Sequence, residues 1–269
     1  MNNSIADSIK SLPPLSKTIA EINRVYADEN SSVADMAKVI ENDPMIIANL
    51  LKSASSPLYG FSKEIKNASQ AVGLFGMTMT RSLALGNAVR KLLNVDFQPY
   101  GISSDKFAEI SSMQATLVYN WYSKIDKKKA EILFLAALLQ ETGKIIIASD
   151  VIQNDETISF KSEVKISNNL AQVERSYVDI SSSEVTALIF NHWKFDDLLI
   201  EMIRYADNPT SAPIEVAEFS MALHIIKMAV PINKPLSEQA INFALRKASD
   251  EMYDHEILED SIDDMLDES

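Results

Sequence analysis

Residues 132–144, with the sequence ILFLAALLQETGK, are the stretch of this chain that says most about its fold. Its first eight residues are all apolar, which predicts a helix that is buried on every side. The helix runs directly into the polar pair Gln140 and Glu141, and then into Thr142, Gly143 and Lys144. The stretch therefore predicts a core helix that ends at a polar pair inside the protein.

The rest of the chain also has the apolar spacing of helices. Only six glycines interrupt its 269 residues, and apolar residues recur every three to four positions. We predict an all-α fold with an N-terminal helical lobe over 1–96, a C-terminal helical lobe over 97–249 and an acidic amphipathic tail over 250–269. Pro99 and Gly101 interrupt the helical pattern, so we expect 95–104 to link the two lobes.

Composition excludes several classes of function. There is no cysteine, which rules out disulfides, thiolate metal sites and cysteine nucleophiles. The net charge is −13, but 250–269 holds ten acidic residues and no Lys or Arg, so the rest of the chain carries only −3. The sequence has no stripe of basic residues of the kind that indicates a nucleic-acid partner. We also expect no membrane span and no signal peptide, and therefore a cytoplasmic protein.

Several segments, taken in order, resemble one family, the HDOD domain proteins. The segments are LPPL at 12–15, IENDP at 40–44, LLKSASSPLYG at 50–60, QAVGLFG at 70–76, RSLALG at 81–86, AALLQETGK at 136–144, HW at 192–193 and IRY at 203–205. Each segment is weak by itself, and their order and spacing make the set specific. The resemblance covers roughly 12–209 and places the start of the HDOD domain near residue 12.

The resemblance implies an all-helical bacterial domain, a degenerate relative of the HD metal phosphohydrolases. In those enzymes a His-Asp pair that holds the metal stands where this chain has Gln140 and Glu141. To within a residue or two, the other ligand positions are also lost, and the degenerate site consists of Ser112, Gln140, Glu141, Ser182, Ala206, Asp207 and Leu223. The resemblance also implies a role in signalling and regulation. It implies a domain without catalysis, metal or cofactor.

Two other functions remain open. Glu141 and Asp207 could serve a residual phosphohydrolase, since carboxylates bind hard cations. Alternatively, the vacated cleft between Gln140, Glu141, Ser112 and Ser182 could bind a nucleotide or second messenger. We expect Glu141 to pair with Lys144, Arg81 or a backbone amide. The three histidines have no metal-ligand spacing, and His224 falls in an apolar helix, where we expect a structural role.

Two segments are candidate interaction surfaces, because loops and amphipathic helices are common recognition elements. The first is the loop that carries Ser55, Tyr59 and Phe61. The second is the acidic tail, in which Leu258, Ile262 and Leu266 recur at helical spacing and could dock on the protein itself or on a partner. Since the sequence has no receiver, kinase or cyclase segment, we expect a protein partner of a bacterial signalling pathway to be supplied in trans.

Overall fold

The computed structural model describes residues 3–54, 65, 67–92 and 96–267, and every regular element in these ranges is a helix. The all-α prediction is therefore confirmed. Two short 3-10 helices cover Gln98–Tyr100 and Pro209–Ser211. The α-helices in chain order are α1 Asn3–Lys10, α2 Lys17–Ala27, α3 Val33–Glu41, α4 Pro44–Ala54, α5 Ala68–Leu92, α6 Ser104–Ser123, α7 Lys127–Leu139, α8 Gly143–Gln153, α9 Thr157–Ile166, α10 Leu170–Val178, α11 Ser182–His192, α12 Asp197–Arg204, α13 Ile214–Ala229, α14 Glu238–Asp250 and α15 His255–Asp267.

The chain divides into two compact units. The N-terminal unit comprises Pro13–Leu92 and Met265–Ser269, and the C-terminal unit comprises Met1–Leu12 and Leu93–Asp264. This division differs from the expected lobes because α1 packs on α8 and α11, where Ile5 and Ile9 are buried. An apolar face on a short helix is stable only where it is covered, and here α8 and α11 cover it.

Local capping explains where the helices of the N-terminal unit begin. The hydroxyl of Ser32 and the carboxylate of Asp35 form a capping box at the start of α3. Asp43 Oδ1 accepts a hydrogen bond from the Met45 amide at 3.0 Å, and α4 starts at Pro44, since proline fits the first position of a helix. The backbone of Gly76, with φ +74°, kinks α5.

The stretch ILFLAALLQETGK lies at the centre of the C-terminal unit. Residues 133–139 of α7 are all buried, and α7 packs extensively on α6. The region Lys127–Gln153 is long and apolar enough to cross a membrane by composition, but 89% of its most apolar window is buried inside the protein. The prediction of a helix buried on all sides is therefore confirmed, and this helix is a core element.

The described part of the expected linker, 96–104, is folded. It contains the 3-10 helix Gln98–Tyr100, and its side chains Phe97 and Tyr100 are 4% and 2% exposed. Phe97 stacks on Phe107 with ring centroids 4.2 Å apart, and Tyr100 packs edge-on against Phe160. The turn at Pro99 and Gly101 is therefore anchored in the C-terminal unit, and the boundary between the two units falls before it, at Leu92 and Leu93.

Candidate functional site

A close approach of two helix starts builds the site in the C-terminal unit. A Cβ atom added to Gly143 would lie 2.1 Å from the Ser182 carbonyl oxygen, so only glycine fits where α8 begins. The Gly143 amide donates to Thr186 Oγ1 at 2.7 Å, which fixes the start of α8 against α11. This contact brings the polar pair and Lys144 next to the first residues of α11.

Glu141 of the polar pair belongs to a cluster of buried charged side chains. Lys144 is the centre of one half of this cluster, and its side chain is only 2% exposed. Its ammonium contacts Glu174 Oε1, lies 3.3 Å from Glu141 Oε2 and donates to Ser182 Oγ at 3.1 Å. Burial lowers the pKa of Lys144, but the carboxylates Glu141 and Glu174 outweigh burial and raise it. Lys144 is thus a charged ammonium inside the protein, and the expected Glu141–Lys144 pair is confirmed.

The carboxylate of Glu174 accepts hydrogen bonds from donors of three elements. Tyr100 Oη donates to Glu174 Oε1 at 3.0 Å, and the Ser182 amide donates to Glu174 Oε2 at 2.6 Å. Burial and the Glu174 charge both raise the pKa of the Tyr100 hydroxyl far above its usual value, so this group remains a donor. Lys144 completes the set, and the carboxylate has a partner on both oxygens.

Lys227 forms the other half of the cluster. Its ammonium donates to Asp207 Oδ1 at 2.6 Å and to Ser183 Oγ at 2.9 Å, and it lies 3.7 Å from Glu141 Oε2. Burial disfavours a charged Asp207, but Lys227 and then Lys144 outweigh burial, so the pKa of Asp207 lies below its ordinary value. Three carboxylates and two ammonium groups therefore share one interior network, with Glu141 between the two halves.

Two amide side chains support this network from α6 and α7. Gln114 Nε2 donates to Glu141 Oε1 at 3.2 Å and to the Val230 carbonyl at 2.9 Å. Gln140 Nε2 donates to Gln114 Oε1 at 2.9 Å, while Gln140 Oε1 has no hydrogen bond within the described part of the chain. Gln140 is therefore a neutral support for the carboxylate cluster.

The structure brings together four of the seven residues that we assigned to the degenerate site, namely Gln140, Glu141, Ser182 and Asp207. Ser112 is a correction, because its hydroxyl donates to the Ala108 carbonyl of its own helix at 3.0 Å and the neighbouring Gln114 reaches the cluster instead. Ala206 and Leu223 are fully buried apolar residues. Beside them, His224 Nδ1 donates to the Ala206 carbonyl at 2.7 Å, in the structural role expected for it.

Sequence reasoning missed Gln114, Tyr100, Glu174 and Lys227. Lys227 could have been found, since it follows Leu223 by one helical turn and so lies on the same face of α13. The other three come from distant elements, and no local spacing in the sequence indicates them.

The residues at this site do not fit a divalent metal ion. Such an ion needs several free carboxylate or imidazole ligands that converge on one point. Here Lys227 already holds Asp207 and approaches Glu141, and the neutral amide of Gln140 stands beside them. Within the described ranges, no group of three or more His, Asp or Glu side chains is placed to hold a metal.

A cavity of about 240 Å³ opens above the buried cluster, entirely within the C-terminal unit. Glu141, Lys144, Asp207 and Lys227 contribute to its floor. Its walls come from the start of α10, from α13, from the loop that follows α13 and from the first turns of α14. The cleft above the degenerate site is therefore open, with a polar floor and a mixed polar and apolar wall.

The candidate interaction residues have different positions in the structure. Ser55, Tyr59 and Phe61 lie outside the described residues, so their assignment remains a prediction. In α15, Leu258 and Ile262 are 0% and 1% exposed, which favours docking of the tail on the protein itself, whereas Leu266 is 44% exposed. Trp121 Nε1 donates to the Asp254 carbonyl just before this helix.

Comparisons with known proteins agree with this architecture. The model of the HDOD domain matches residues 12–209. A curated protein of Treponema pallidum, named only as uncharacterised, is 23% identical over 224 residues, which are 79% of this chain and 40% of that protein. The chain thus spans about two fifths of the length of the curated relative it matches.

Two solved structures have a similar fold. One, from Shewanella amazonensis, is named provisionally as a phosphohydrolase and has a TM-score of 0.75 at 22% identity, over 98% of this chain and 95% of that one. Another, from Marinobacter aquaeolei, is named provisionally as a signal transduction protein and has a TM-score of 0.74 at 21% identity, over 97% of this chain and 58% of that one. At these identities the likeness shows the fold alone.

Proposed function

The chain belongs to the HDOD family, and we propose that it is a non-catalytic regulatory module of bacterial signalling that binds a protein partner in trans. One observation carries the non-catalytic part of this proposal. The ammonium of Lys227 lies 2.6 Å from Asp207 Oδ1 and 3.7 Å from Glu141 Oε2, between the two carboxylates that a catalytic metal would need. A covalently tethered cation at this position competes with a divalent ion and supplies no activated water.

The charge balance of the interior supports the same proposal. Removing three carboxylates from water is costly, and a buried charge persists only when it is paired and hydrogen-bonded. Lys144 and Lys227 neutralise most of the charge of Glu141, Glu174 and Asp207 without any ion from solution. The charge balance of this site therefore does not require a metal ion, whereas a phosphohydrolase site relies on its metal for part of that balance.

Metal analysis and a hydrolysis assay on the full chain test the absence of catalysis. We expect far less than one metal ion per chain after purification, and no hydrolysis of phosphomonoesters or phosphodiesters when Mg²⁺, Mn²⁺, Fe²⁺ or Zn²⁺ is added. Stoichiometric metal together with turnover that Asp207→Asn abolishes would establish the residual phosphohydrolase and overturn the proposal.

Support for a partner in trans comes from the family and from the provisional signalling name of the relative in Marinobacter aquaeolei. The acidic chain, with a net charge of −13, makes a protein a better partner than a nucleic acid. We place the protein in the cytoplasm, in line with its lack of cysteine. Cell fractionation tests this location, and recovery in the membrane pellet or the extracellular fraction would contradict it.

Affinity capture with the full chain tests the interaction surface. We expect the double substitution Tyr59→Ala and Phe61→Ala to weaken recovery of a specific partner. The matched control is Ile158→Ala, an 83% exposed apolar side chain on α9. Equal recovery with both variants would refute the loop as the surface, and the absence of any specific partner would refute the interaction itself.

A further inference from the structure

The rim of the cavity in the C-terminal unit is electropositive. Lys234 lines it and forms no ion pair within the described part of the chain. Two helices also begin there, α10 after its cap Asn169 and α14 after its cap Ser237, and both caps line the cavity. Helix starts carry a partial positive charge and free amides, and together with an ammonium group they favour an oxyanion such as phosphate.

One wall of the cavity offers an aromatic face. Phe243 lines the cavity and is 43% exposed, and none of the described aromatic rings stacks on it. Met228 and Ile232 extend this apolar wall. An exposed ring at the mouth of a cavity is a platform on which a flat heteroaromatic ring can stack.

The floor holds a buried carboxylate between two ammonium groups. Glu141 Oε2 accepts no hydrogen bond among the described residues, but it has ion-pair contacts with Lys144 at 3.3 Å and Lys227 at 3.7 Å. The charges of the floor are therefore largely balanced within the protein. Asn168 also lines the cavity and adds an amide group that can bind hydroxyls or ring nitrogens.

From these features we infer that the cavity binds a nucleoside monophosphate and holds it intact. The phosphate lies at Lys234 and the two helix starts, and the base stacks on Phe243. The volume of about 240 Å³ is below the usual 300–1,000 Å³ of sites for drug-sized ligands, which favours a mononucleotide over a larger ligand. The inference adds the binding of a small molecule to the proposed regulatory function. It rests on that function in one respect only, namely that the bound nucleotide is not cleaved.

Isothermal titration of the full chain tests this site with AMP and GMP as probes. Adenosine, which lacks the phosphate, and inorganic phosphate, which lacks the base, are the matched controls. We expect saturable binding of at least one nucleotide with one site per chain, and affinities for adenosine and phosphate that are at least about tenfold weaker, since a charge-assisted contact contributes more than about 1.4 kcal/mol.

Two variants locate the binding. Lys234→Gln and Phe243→Ala each change an exposed or half-exposed side chain, so the fold should persist, and each should weaken the nucleotide about tenfold. Lys128→Gln and Ile158→Ala, at exposed positions that do not line the cavity, should leave the affinity unchanged. Equal affinities in all four variants would show that the nucleotide binds elsewhere and would overturn the assignment.

The remaining outcomes separate this inference from the proposed function. If neither AMP nor GMP binds, the cavity assignment fails, while the metal and hydrolysis results on the non-catalytic module stand. If AMP or GMP is hydrolysed at this site, both the intact-ligand inference and the non-catalytic proposal fail.

Discussion

The ammonium of Lys227 and the carboxylate of Asp207 are 2.6 Å apart, with side chains that are only 12% and 6% exposed. This pair joins α13 to the turn that follows α12, and Ser183 binds both partners from the start of α11. A buried pair is weak evidence for added stability, but breaking one costs much, because the remaining charge has no partner. This pair therefore keeps both charges compensated in the interior of the C-terminal unit.

Replacing Lys227 with methionine should lower the free energy of unfolding by about 3–5 kcal/mol, because it leaves Asp207 uncompensated. The matched control is Lys129→Met, which removes an exposed pair with Glu218 and should cost less than about 1 kcal/mol. Urea unfolding followed by tryptophan fluorescence measures both, since Trp121 and Trp193 lie in the C-terminal unit. Equal losses in the free energy of unfolding for the two variants would contradict a larger contribution from the buried pair.

The same variant should have an altered pH dependence. In the natural chain the pKa of Asp207 is below its ordinary value, so its contribution is present at neutral pH and is lost only as the pH falls through that low pKa. Without Lys227, burial counts for more and the pKa of Asp207 rises. Between pH 7 and 5, the stability of Lys227→Met should therefore fall less than that of the natural chain, and a decrease parallel to that of the natural chain would contradict this account.

Tyr100→Phe should destabilise the protein by about 1–3 kcal/mol, because Glu174 Oε1 loses a buried hydrogen-bond donor. Tyr177→Phe is a close control. Both rings pack edge-on against Phe160, but the Tyr177 hydroxyl donates to Glu163 at the exposed surface, so its loss should cost less than about 0.5 kcal/mol. Chemical denaturation of the two variants compares them, and a larger loss for Tyr177→Phe would contradict the buried network.

Gly143→Ala should cost about 3 kcal/mol or more, since the added methyl group meets the rigid backbone of Ser182. Gly73→Ala should be neutral or stabilising by up to about 1 kcal/mol, because no atom lies within 4 Å of its added Cβ and alanine favours a helix. Urea unfolding followed by circular dichroism measures both. A tolerated alanine at 143 would show that α8 and α11 approach each other less closely.

His224 should make the protein less stable in mild acid. Burial lowers the pKa of His224 below 6.5, although the Ala206 carbonyl and Asp207 oppose this effect. A group with a depressed folded-state pKa contributes stability above its unfolded pKa and loses that contribution as the pH falls through the folded value. Between pH 7.5 and 5, His224→Gln should lose less stability than the natural chain, while His192→Gln at the surface should match it. Identical pH slopes for His224→Gln and the natural chain would contradict the prediction.

The position of α15 predicts a contrast between two of its leucines. Leu258→Ala removes a fully buried side chain and should cost about 2–5 kcal/mol. Leu266→Ala changes a 44% exposed side chain and should alter stability by less than about 0.5 kcal/mol. If Leu258→Ala left stability unchanged but abolished partner capture, Leu258 would belong to a partner surface after all.

The sequence alone determined the helical class, the buried helix α7 and helix starts at Ser31 or Ser32 and at Pro44. These features follow from local physics, namely apolar periodicity, capping chemistry and the backbone limits of proline and glycine. Ordered motifs added the family over residues 12–209, and the resemblance to that family indicated the pair Gln140–Glu141 as the place of the site.

Tertiary structure alone decided which side chains meet at that site. Lys227 is 86 positions from Glu141, and Tyr100 is 74 positions from Glu174, so no local pattern could pair them. Tertiary structure also placed α1 in the C-terminal unit and buried Leu258 and Ile262 of the tail. Apolar periodicity indicates that one face of a helix must be covered. The element that covers this face depends on the packing of distant parts of the chain, and so does the cation that neutralises a buried carboxylate.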